Sequence, residues 1–395
     1  MPRTREAAAE PATSSRTRSK TATTSSTAPG GGTAVAPRAE DELSRPPSSS
    51  ASTGGAESKV SSPIKRAVAD GDVATATAKA AAAAAGPGRL PGPVRFVLVV
   101  VLSFALLSLG RSFVDHVSDN EVGSIARETN SQTELGVLAA WKLFGLALGW
   151  LGDYDGFDLA ALAVLSHGPA TFLISVFYGI RSLTAGAYLA VDVVSAFLPF
   201  VLLRRLSSAH SAAPGVPNRD IVADKTIQVL TALQSSLVYS VVLFLAGRYL
   251  LPDYLVLYFS GIPTIRPAAD ATFLGLDNPT TLALSVLFGL AARTFIFTPL
   301  VTTPRTAEDE KNAGFDPVSA TLGQTVAWNL WGYTSRTKVS LVRTAVAMLY
   351  SAVGTYLDTV LTVRGVELYG AVVYAGVWVL AALVTGLSLR YVGSI

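Results

Sequence analysis

Long apolar runs separated by short polar connections recur along the chain from residue 94 to its end. A hydrocarbon core about 30 Å thick needs about 20 helical residues to cross it. Windows of that length predict an all-α fold, a polytopic transmembrane helical bundle of about eight spans. The sixth window is interrupted by Arg293 and the first two are short, so seven or nine spans are the alternatives. The predicted spans cover residues 94–110, 135–152, 159–180, 183–203, 226–251, 281–301, 340–363 and 368–392.

Residues 1–93 have a different composition from the rest of the chain. They contain no Phe, Trp or Tyr and are dense in Ala, Ser, Thr, Pro and Gly. Such a segment buries too little apolar surface to offset the entropy of ordering, so we predict a disordered cytosolic tail over 1–93 and a transmembrane domain over 94–395. Within the tail, Ser62 precedes Pro63 and Lys65, which makes it a candidate site for a proline-directed kinase. A phosphate there would weaken contact with anionic lipid.

The distribution of Lys and Arg predicts the orientation of the bundle. Basic residues concentrate in the tail and in the connections near residues 204–225 and 305–338. By the positive-inside rule these segments are cytosolic, and an even number of spans places both termini there. The endoplasmic reticulum or nuclear envelope is the expected membrane, because the chain has no N-x-S/T acceptor and no apolar leader segment. Arginines at the start of the tail leave a mitochondrial presequence as an alternative, although Glu6 and Glu10 count against it.

The composition limits the kinds of site and partner that the chain can have. Half of the residues are hydrophobic, the mean hydropathy is +0.43 and the net charge is +3. With no cysteine, disulfides and thiolate metal sites are excluded. The lipid bilayer is therefore the expected partner, and nucleic acid is not.

A segment before the seventh span carries an amphipathic pattern. Residues 316–333 place apolar side chains at steps of four, with Asp316 as a predicted N-cap and Pro317 as the first helical residue. The pattern predicts either a helix lying on the membrane interface or an extension of the seventh span. Arg336 and Lys338 would then contact anionic lipid head groups.

The stretch "LGWLGDYDGFDLAALAVLSH" holds three aspartates, Asp153, Asp155 and Asp158, between apolar runs. We interpret them as a solvated turn in which Asp158 caps the third span. An alternative pairs "DGFD" with "RDIVAD", which contains Asp220 and Asp224, as the acidic motifs of a magnesium-dependent membrane prenyltransferase. The flanking Asn and Arg pattern of that family is absent. Because no nucleophile constellation, phosphate loop or zinc motif occurs either, we expect no enzyme activity, no cofactor and no metal.

Four ionisable residues stand out near the middle of the predicted spans. Lys142, His167, Asp192 and Arg293 lie about 12 to 16 Å from the cytosolic end at about 1.5 Å per residue. Charge within hydrocarbon is costly, so they should converge on the bundle interior, with at least one cation within ion-pair distance of Asp192. Such a layer suits a proton-linked or anion-binding cavity, or it merely fixes helix register. His167 alone has a simpler explanation, a hydrogen bond to a carbonyl freed by Pro169.

The segments "GWLGDYDGFDLAAL" and "AWNLWGYTSRTKVSLVRT" resemble those of multi-pass membrane proteins from filamentous fungi that have no assigned function. The resemblance covers the chain from about residue 94 and implies no activity, ligand or site. The sequence therefore favours a structural or tethering protein of an endomembrane. A transporter or proton-linked channel that uses the intramembrane layer is the main alternative, and the prenyltransferase-like enzyme is the other.

Overall fold

The computed structural model describes residues 90–127, 132–211, 215–269 and 279–394. The predictions for residues 1–89, including the disordered tail and the phosphorylation site at Ser62, lie outside this part of the chain. The described residues belong to the compact unit Ala85–Ile395.

The described residues form helices joined by short connections, with no strand among them. The helices are α1 (Gly92–Val117), α2 (Gln132–Leu151), α3 (Gly156–Val176), α4 (Ser182–Leu203), α5 (Arg219–Ala223), α6 (Lys225–Tyr249), α7 (Leu251–Tyr258), α8 (Arg266–Ala269), α9 (Pro279–Ala292), α10 (Thr298–Thr302), α11 (Ala307–Ala313), α12 (Leu322–Trp331), α13 (Ser335–Thr362) and α14 (Leu368–Ser394). A π-helical segment, Arg293–Phe297, joins α9 to α10 without a break. Within the described residues, eight helical stretches are long and apolar enough to cross a membrane, which confirms the predicted polytopic bundle.

The ends of the spans differ from the predicted ends where charged residues stand. α1 continues to Val117, past the predicted end at Gly110, and α13 begins at Ser335, before the predicted start at Ser340. Arg111 therefore lies inside the first span and not in the loop after it.

Contacts among the connections define two ends of the bundle. At the Gly92 end, Phe96 packs against Trp150, and Arg204 donates hydrogen bonds to the carbonyls of Gly149 and Trp150. At the opposite end, here called the Val117 end, the amide of Arg127 donates to Thr362 O. The eight spans therefore alternate in direction.

Helix α3 occupies the centre of the bundle. It packs against α4, α9 and α13, and most of its side chains are buried. Hydropathy alone does not set this position, because lipid can cover an apolar helix as well as protein can. Since α3 also carries Asp158 and His167, both side chains are held inside the protein.

Three prolines interrupt the spanning helices, and each frees the carbonyl four residues earlier because proline has no N–H. A side chain from another helix bonds each of these carbonyls. Ser103 Oγ donates to Ser195 O below Pro199 at 2.6 Å, and Ser351 Oγ donates to Leu165 O below Pro169 at 2.9 Å. The carbonyl of Phe295, below Pro299, accepts from Arg343 Nη1 at 2.9 Å. The prolines thus create polar contacts that fix α1 to α4, α3 to α13, and the π-helical segment to α13.

The amphipathic segment before α13 forms a separate helix, so the predicted extension of the seventh span is wrong. Thr321 is the N-cap of α12, in a capping box with Gln324, and residues 332–334 separate this helix from α13. Asp316 instead accepts a hydrogen bond from the amide of Val318 in the preceding turn. The predicted helix start is therefore also corrected, because the threonine cap is followed by a residue that completes the capping box.

The two basic residues predicted to meet anionic lipid make contacts within the protein. Lys338 Nζ lies 2.6 Å from Glu308 Oε1, and Arg336 Nε donates to Thr303 O at 3.2 Å. A contact with anionic lipid remains a prediction.

Candidate functional site: a polar cluster inside the bundle

A buried carboxylate lies near the middle of α4 and is paired with an arginine of α1. Arg111 Nη2 lies 3.0 Å from Asp192 Oδ1 and 3.3 Å from Oδ2. Only 8% of the Asp192 side chain is exposed. A cation was expected within ion-pair distance of Asp192, and Arg111 is that cation. The sequence did not identify it because the predicted span ended one residue before it.

His167 contacts a second carboxylate. Its Nδ1 lies 2.6 Å from Asp358 Oδ2 of α13, and both side chains are largely buried. The simpler explanation, in which His167 bonds a carbonyl freed by Pro169, is not what the structure shows. That carbonyl, Leu165 O, accepts from Ser351, and this leaves the imidazole ring to Asp358.

Lys142 joins the cluster through a hydroxyl group. Its ammonium donates to Ser195 Oγ at 2.9 Å, and Ser195 Oγ donates in turn to Asp192 O. Lys142 was a candidate partner for the Asp192 carboxylate, but it reaches that residue only by way of Ser195. Helices α1, α2, α3, α4 and α13 each contribute one ionisable side chain to this arrangement, here called the Asp192 cluster: Arg111, Lys142, His167, Asp192 and Asp358.

Arg293, the fourth residue of the predicted layer, takes no part in these contacts. It lines a different cavity, together with His210 and Gln228. The estimated depth of Arg293 had suggested a layer shared with the other three residues. Which neighbour a side chain faces depends on the rotation of its helix, and the π-helical segment that begins at Arg293 alters that rotation.

A cavity of about 310 Å3 reaches the Asp192 cluster. Its walls include Asn120 and Val122 from the loop after α1, so it extends to the Val117 end. Deeper in the bundle it is lined by Arg111, His167, Asp192 and Asp358 of the cluster. Asp115, which accepts a hydrogen bond from Tyr188 Oη, lines it as well.

The space on the other side of the cluster is narrow. A void of only about 20 Å3 is lined by Lys142, His167 and Tyr350, with apolar side chains such as Leu159 and Leu162 around it. A separate cavity of about 430 Å3 lies at the Gly92 end, lined by Tyr154, Lys338 and Arg343. His167 is thus the ionisable residue that lines both the cavity from the Val117 end and the narrow void.

The aspartates between α2 and α3 are not the solvated turn that the sequence predicted. Asp153 is exposed, but Asp155 and Asp158 are buried, with 1% and 0% of each residue accessible. Asp155, and not Asp158, is the N-cap of α3, and the two form a capping box. The predicted solvated turn is wrong because the Asp155 and Asp158 carboxylates have partners from other helices and loops.

The partner of Asp158 is Arg343 of α13, which the sequence did not single out. Arg343 Nη1 and Nη2 lie 2.6 and 3.3 Å from the two carboxylate oxygens, and the guanidinium also stacks near the Tyr154 and Phe295 rings. Arg343 stood in the first turn of a predicted span, where a snorkelling arginine is ordinary. Pro299, whose freed carbonyl Arg343 bonds, was the feature that called for an internal donor.

Asp155 is held by the loop after α4. Its Oδ2 accepts from Ser207 N, Ser207 Oγ and His210 Nδ1, the last at 2.8 Å. Burial by itself raises the pKa of Asp155, but the hydrogen bond and charge of His210 and the amides of Asp158 and Ser207 outweigh it, and the pKa falls well below its usual range. Asp155 is therefore an anion at neutral pH.

Asp155, Asp158 and His210 bring ligand atoms within 4.8 Å of one another, as a divalent ion would require. Each of these groups already has a protein partner. Both oxygens of Asp158 contact Arg343, a fixed cation that competes with any metal for the same lone pairs. The donor set fits a salt-bridge network better than a metal site.

No protein-family model matches this chain, and neither curated proteins nor solved structures include a significant match. Its class follows from the helices alone: the chain is a polytopic α-helical membrane protein that contacts the lipid bilayer.

Proposed function

We propose that this protein is a proton-linked transporter or channel, with the Asp192 cluster as its proton-binding site. The observation that carries this proposal is the cavity of about 310 Å3, in which a histidine and two carboxylates lie deep among the spanning helices. The sequence alone favoured a structural or tethering role. An ion pair with a purely structural role does not require a polar cavity that reaches its charged groups.

The chemistry of the cluster suits reversible protonation. Histidine is the side chain whose ordinary pKa, about 6.5, lies closest to physiological pH. His167 and Asp358 are joined by a hydrogen bond of 2.6 Å, and Asp192 shares the same cavity. Arg111 and Lys142 lie beside them, and gain or loss of one proton changes the net charge of the site.

Wider access from one end supports alternating exposure. The cluster lines a cavity of about 310 Å3 that extends to the Val117 end, whereas toward the Gly92 end His167 lines a void of only about 20 Å3 with apolar walls. Transport then requires a second conformation in which the helices around Leu159 and Leu162 separate. Motion of α2 against α3 would open that route, because Lys142 and Gly145 of α2 line the same void.

Proton flux into liposomes tests the proposal. The purified protein is reconstituted with a pH-sensitive dye inside, and a potassium gradient with valinomycin supplies the driving potential. We expect the wild-type protein to acidify the lumen, and His167→Gln and Asp358→Asn to reduce the rate to that of protein-free liposomes. Asp220→Asn is the matched control, since Asp220 is an exposed residue between α4 and α6 and should leave flux unchanged.

Two results would contradict the proposal. One is a wild-type flux no greater than that of empty liposomes across a panel of co-supplied organic anions, cations and neutral solutes. The other is full flux in both cluster variants. Elution profile and unfolding midpoint of each variant establish that it is folded before its flux is measured.

Under either outcome the enzymatic alternative has little support. Of the two acidic pairs that would hold magnesium diphosphate, Asp155 and Asp158 are already engaged by His210 and Arg343. In the second pair, Asp220 and Asp224, Asp224 is the N-cap of α6. We therefore propose that the chain is not an enzyme. A structural or tethering role is the function we would assign if proton flux is absent.

A further inference from the structure

A further polar cavity, of about 470 Å3, lies at the Gly92 end, away from the Asp192 cluster. Among the described residues that line it, three are basic and none is acidic: His210, Arg219 and Arg293. Gln228 adds a side-chain amide, and Phe157 adds an apolar wall. The cavity therefore combines positive charge with a partly apolar lining.

Arg293 differs from the other two arginines that reach the interior. Arg111 and Arg343 each bind a carboxylate, whereas Arg293 has no ion pair and donates no hydrogen bond to any residue that the structure describes. Its Nε is buried and without a partner. An unsatisfied buried donor such as this Nε is costly, whereas the residue as a whole is only partly buried. A ligand that accepts a hydrogen bond from Nε would remove the cost.

The local backbone is unusual at the same residue. The π-helical segment Arg293–Phe297 begins at Arg293 and leads into the Thr298–Thr302 turn. Single-turn π-helical segments inside α-helices occur frequently at functional sites, because the extra residue redirects a side chain. Here the redirected side chain is the unpaired arginine, which lines the cavity instead of joining the Asp192 cluster.

His210 has an unpartnered ring nitrogen. Its Nδ1 bonds the Asp155 carboxylate, which fixes the ring, while its Nε2 is buried and has no partner among the described residues. Because a neutral ring that donates from Nδ1 has an acceptor at Nε2, Nε2 donates to a bound anion only when the ring carries both protons. Asp155 lies behind the ring and does not line the cavity.

We propose that this cavity, the Arg293 pocket, binds a phosphate group. Guanidinium groups recognise phosphate through paired N–H···O hydrogen bonds, and Arg293 has those donors free. A second positive charge from Arg219 at the rim and the Nε2 of His210 complement a group of charge about −1 to −2. The phosphate belongs either to a small soluble ion or to a lipid head group, and the shared chemistry is the same.

Ligand-dependent stability tests the proposal on the purified full-length protein in a zwitterionic detergent. Inorganic phosphate is titrated against potassium chloride of equal ionic strength, and the unfolding midpoint is recorded. A ligand that binds only the folded state raises the midpoint. In parallel, the protein in nanodiscs of phosphatidylcholine with or without phosphatidic acid is examined by native mass spectrometry for retained lipid.

The variants distinguish the effect of the positive charge of Arg293 from the effect of its paired hydrogen-bond donors. Arg293→Gln should weaken phosphate binding about tenfold or more, because it removes the charge-assisted hydrogen bonds. Arg293→Lys should fall between this variant and the wild type, since it keeps the charge without the paired donors. Arg219→Gln, at the exposed rim, should give a smaller loss and tests the pocket without disturbing the interior. Arg305→Gln is the matched control, because Arg305 is exposed and does not line the pocket.

Stabilisation by inorganic phosphate that Arg293→Gln abolishes supports a soluble phosphate as ligand. Retention of phosphatidic acid that Arg293→Gln abolishes, without an effect of inorganic phosphate, supports a lipid head group. Equal responses of wild type, Arg293→Gln and Arg219→Gln overturn the proposal, as does the absence of any wild-type response in both arms. The test is independent of proton flux, because neither arm measures transport.

Discussion

At the residue scale, two carboxylates near the start of α3 are buried inside the bundle. Asp158 is completely buried, yet both of its oxygens contact Arg343, and a second residue, Asp155, completes the cap. Breaking a buried ion pair from one side leaves an uncompensated charge, which usually costs more than the pair contributes. The Asp158–Arg343 pair should therefore be sensitive to single substitutions and tolerant of a paired one.

We predict that Asp158→Asn and Arg343→Gln each lower the free energy of unfolding by about 3 to 5 kcal/mol, the usual cost of breaking a buried pair. The double variant should lose less than the sum of the two, because neither charge is then left alone. Unfolding midpoints in detergent measure all four proteins. The control is Asp153→Asn, where an exposed ion pair with Arg204 should contribute no more than about 1 kcal/mol. Additive losses in the double variant would mean that the two side chains do not act as a pair.

Individual residues were only partly predictable from the sequence. The cost of charge in hydrocarbon correctly required a cation beside Asp192, because that argument depends only on depth. It could not name Arg111, which stood just beyond a span drawn to exclude charge. It also assigned Arg293 to the same layer, since depth is readable from sequence but the direction a side chain faces is not.

At the element scale, the helices are tied together by the carbonyls that proline leaves free. Pro169, Pro199 and Pro299 each sit inside a spanning segment, and their carbonyl partners come from α13, α1 and α13. In lipid the freed group has no water to bond, so a side chain from a neighbouring helix is the available donor. A proline in one span and a serine in another are therefore linked through the freed carbonyl. A single sequence does not show which serine is the donor for which proline.

This linkage gives a prediction about α3 and α13. Ser351→Ala should lower the free energy of unfolding by about 0.6 to 2 kcal/mol, because the Leu165 carbonyl loses its donor. In a Pro169→Ala background the same substitution should have almost no effect, since the new amide at position 169 bonds that carbonyl instead. A double-mutant cycle of unfolding midpoints measures the coupling.

The matched control is Ser394→Ala, where the serine bonds the Tyr391 carbonyl at the exposed end of α14 and should contribute little. Equal losses from Ser351→Ala in the wild-type and Pro169→Ala backgrounds would show that Ser351 acts through packing and not through the freed carbonyl.

The existence of each span was predictable from hydropathy, because about 20 apolar residues in a row have few alternatives. The contacts between spans were not, since the apolar faces of membrane helices carry no periodic pattern that distinguishes a neighbour from lipid.

At the scale of the whole molecule, the eight long apolar stretches found in the described part of the chain alternate between the Gly92 end and the Val117 end. The cavity that reaches the Asp192 cluster extends to the Val117 end, and the Arg293 pocket lies at the other. Orientation in the membrane therefore decides from which compartment protons would enter and in which compartment the phosphate ligand would be found. The basic residues in the connections at the Gly92 end, including Arg204, Arg305 and Lys311, favour the cytosol for that end.

We predict that tags on both termini are accessible from the cytosol, because an even number of spans starting at Gly92 returns the chain to the same side. A glycosylation acceptor inserted near Asp270, between α8 and α9, should be modified if the membrane belongs to the endoplasmic reticulum or nuclear envelope. An acceptor inserted near Arg305 is the matched control and should stay unmodified, since that connection belongs to the Gly92 end. Protease digestion of sealed vesicles supplies the second measurement: both tags should be removed without detergent. If the N-terminal tag is protected, the bundle is inverted, and the proposed proton site then opens to the cytosol while the Arg293 pocket faces the lumen. If only one of the two tags is protected, the number of crossing helices is odd, and one of the eight stretches does not span the membrane.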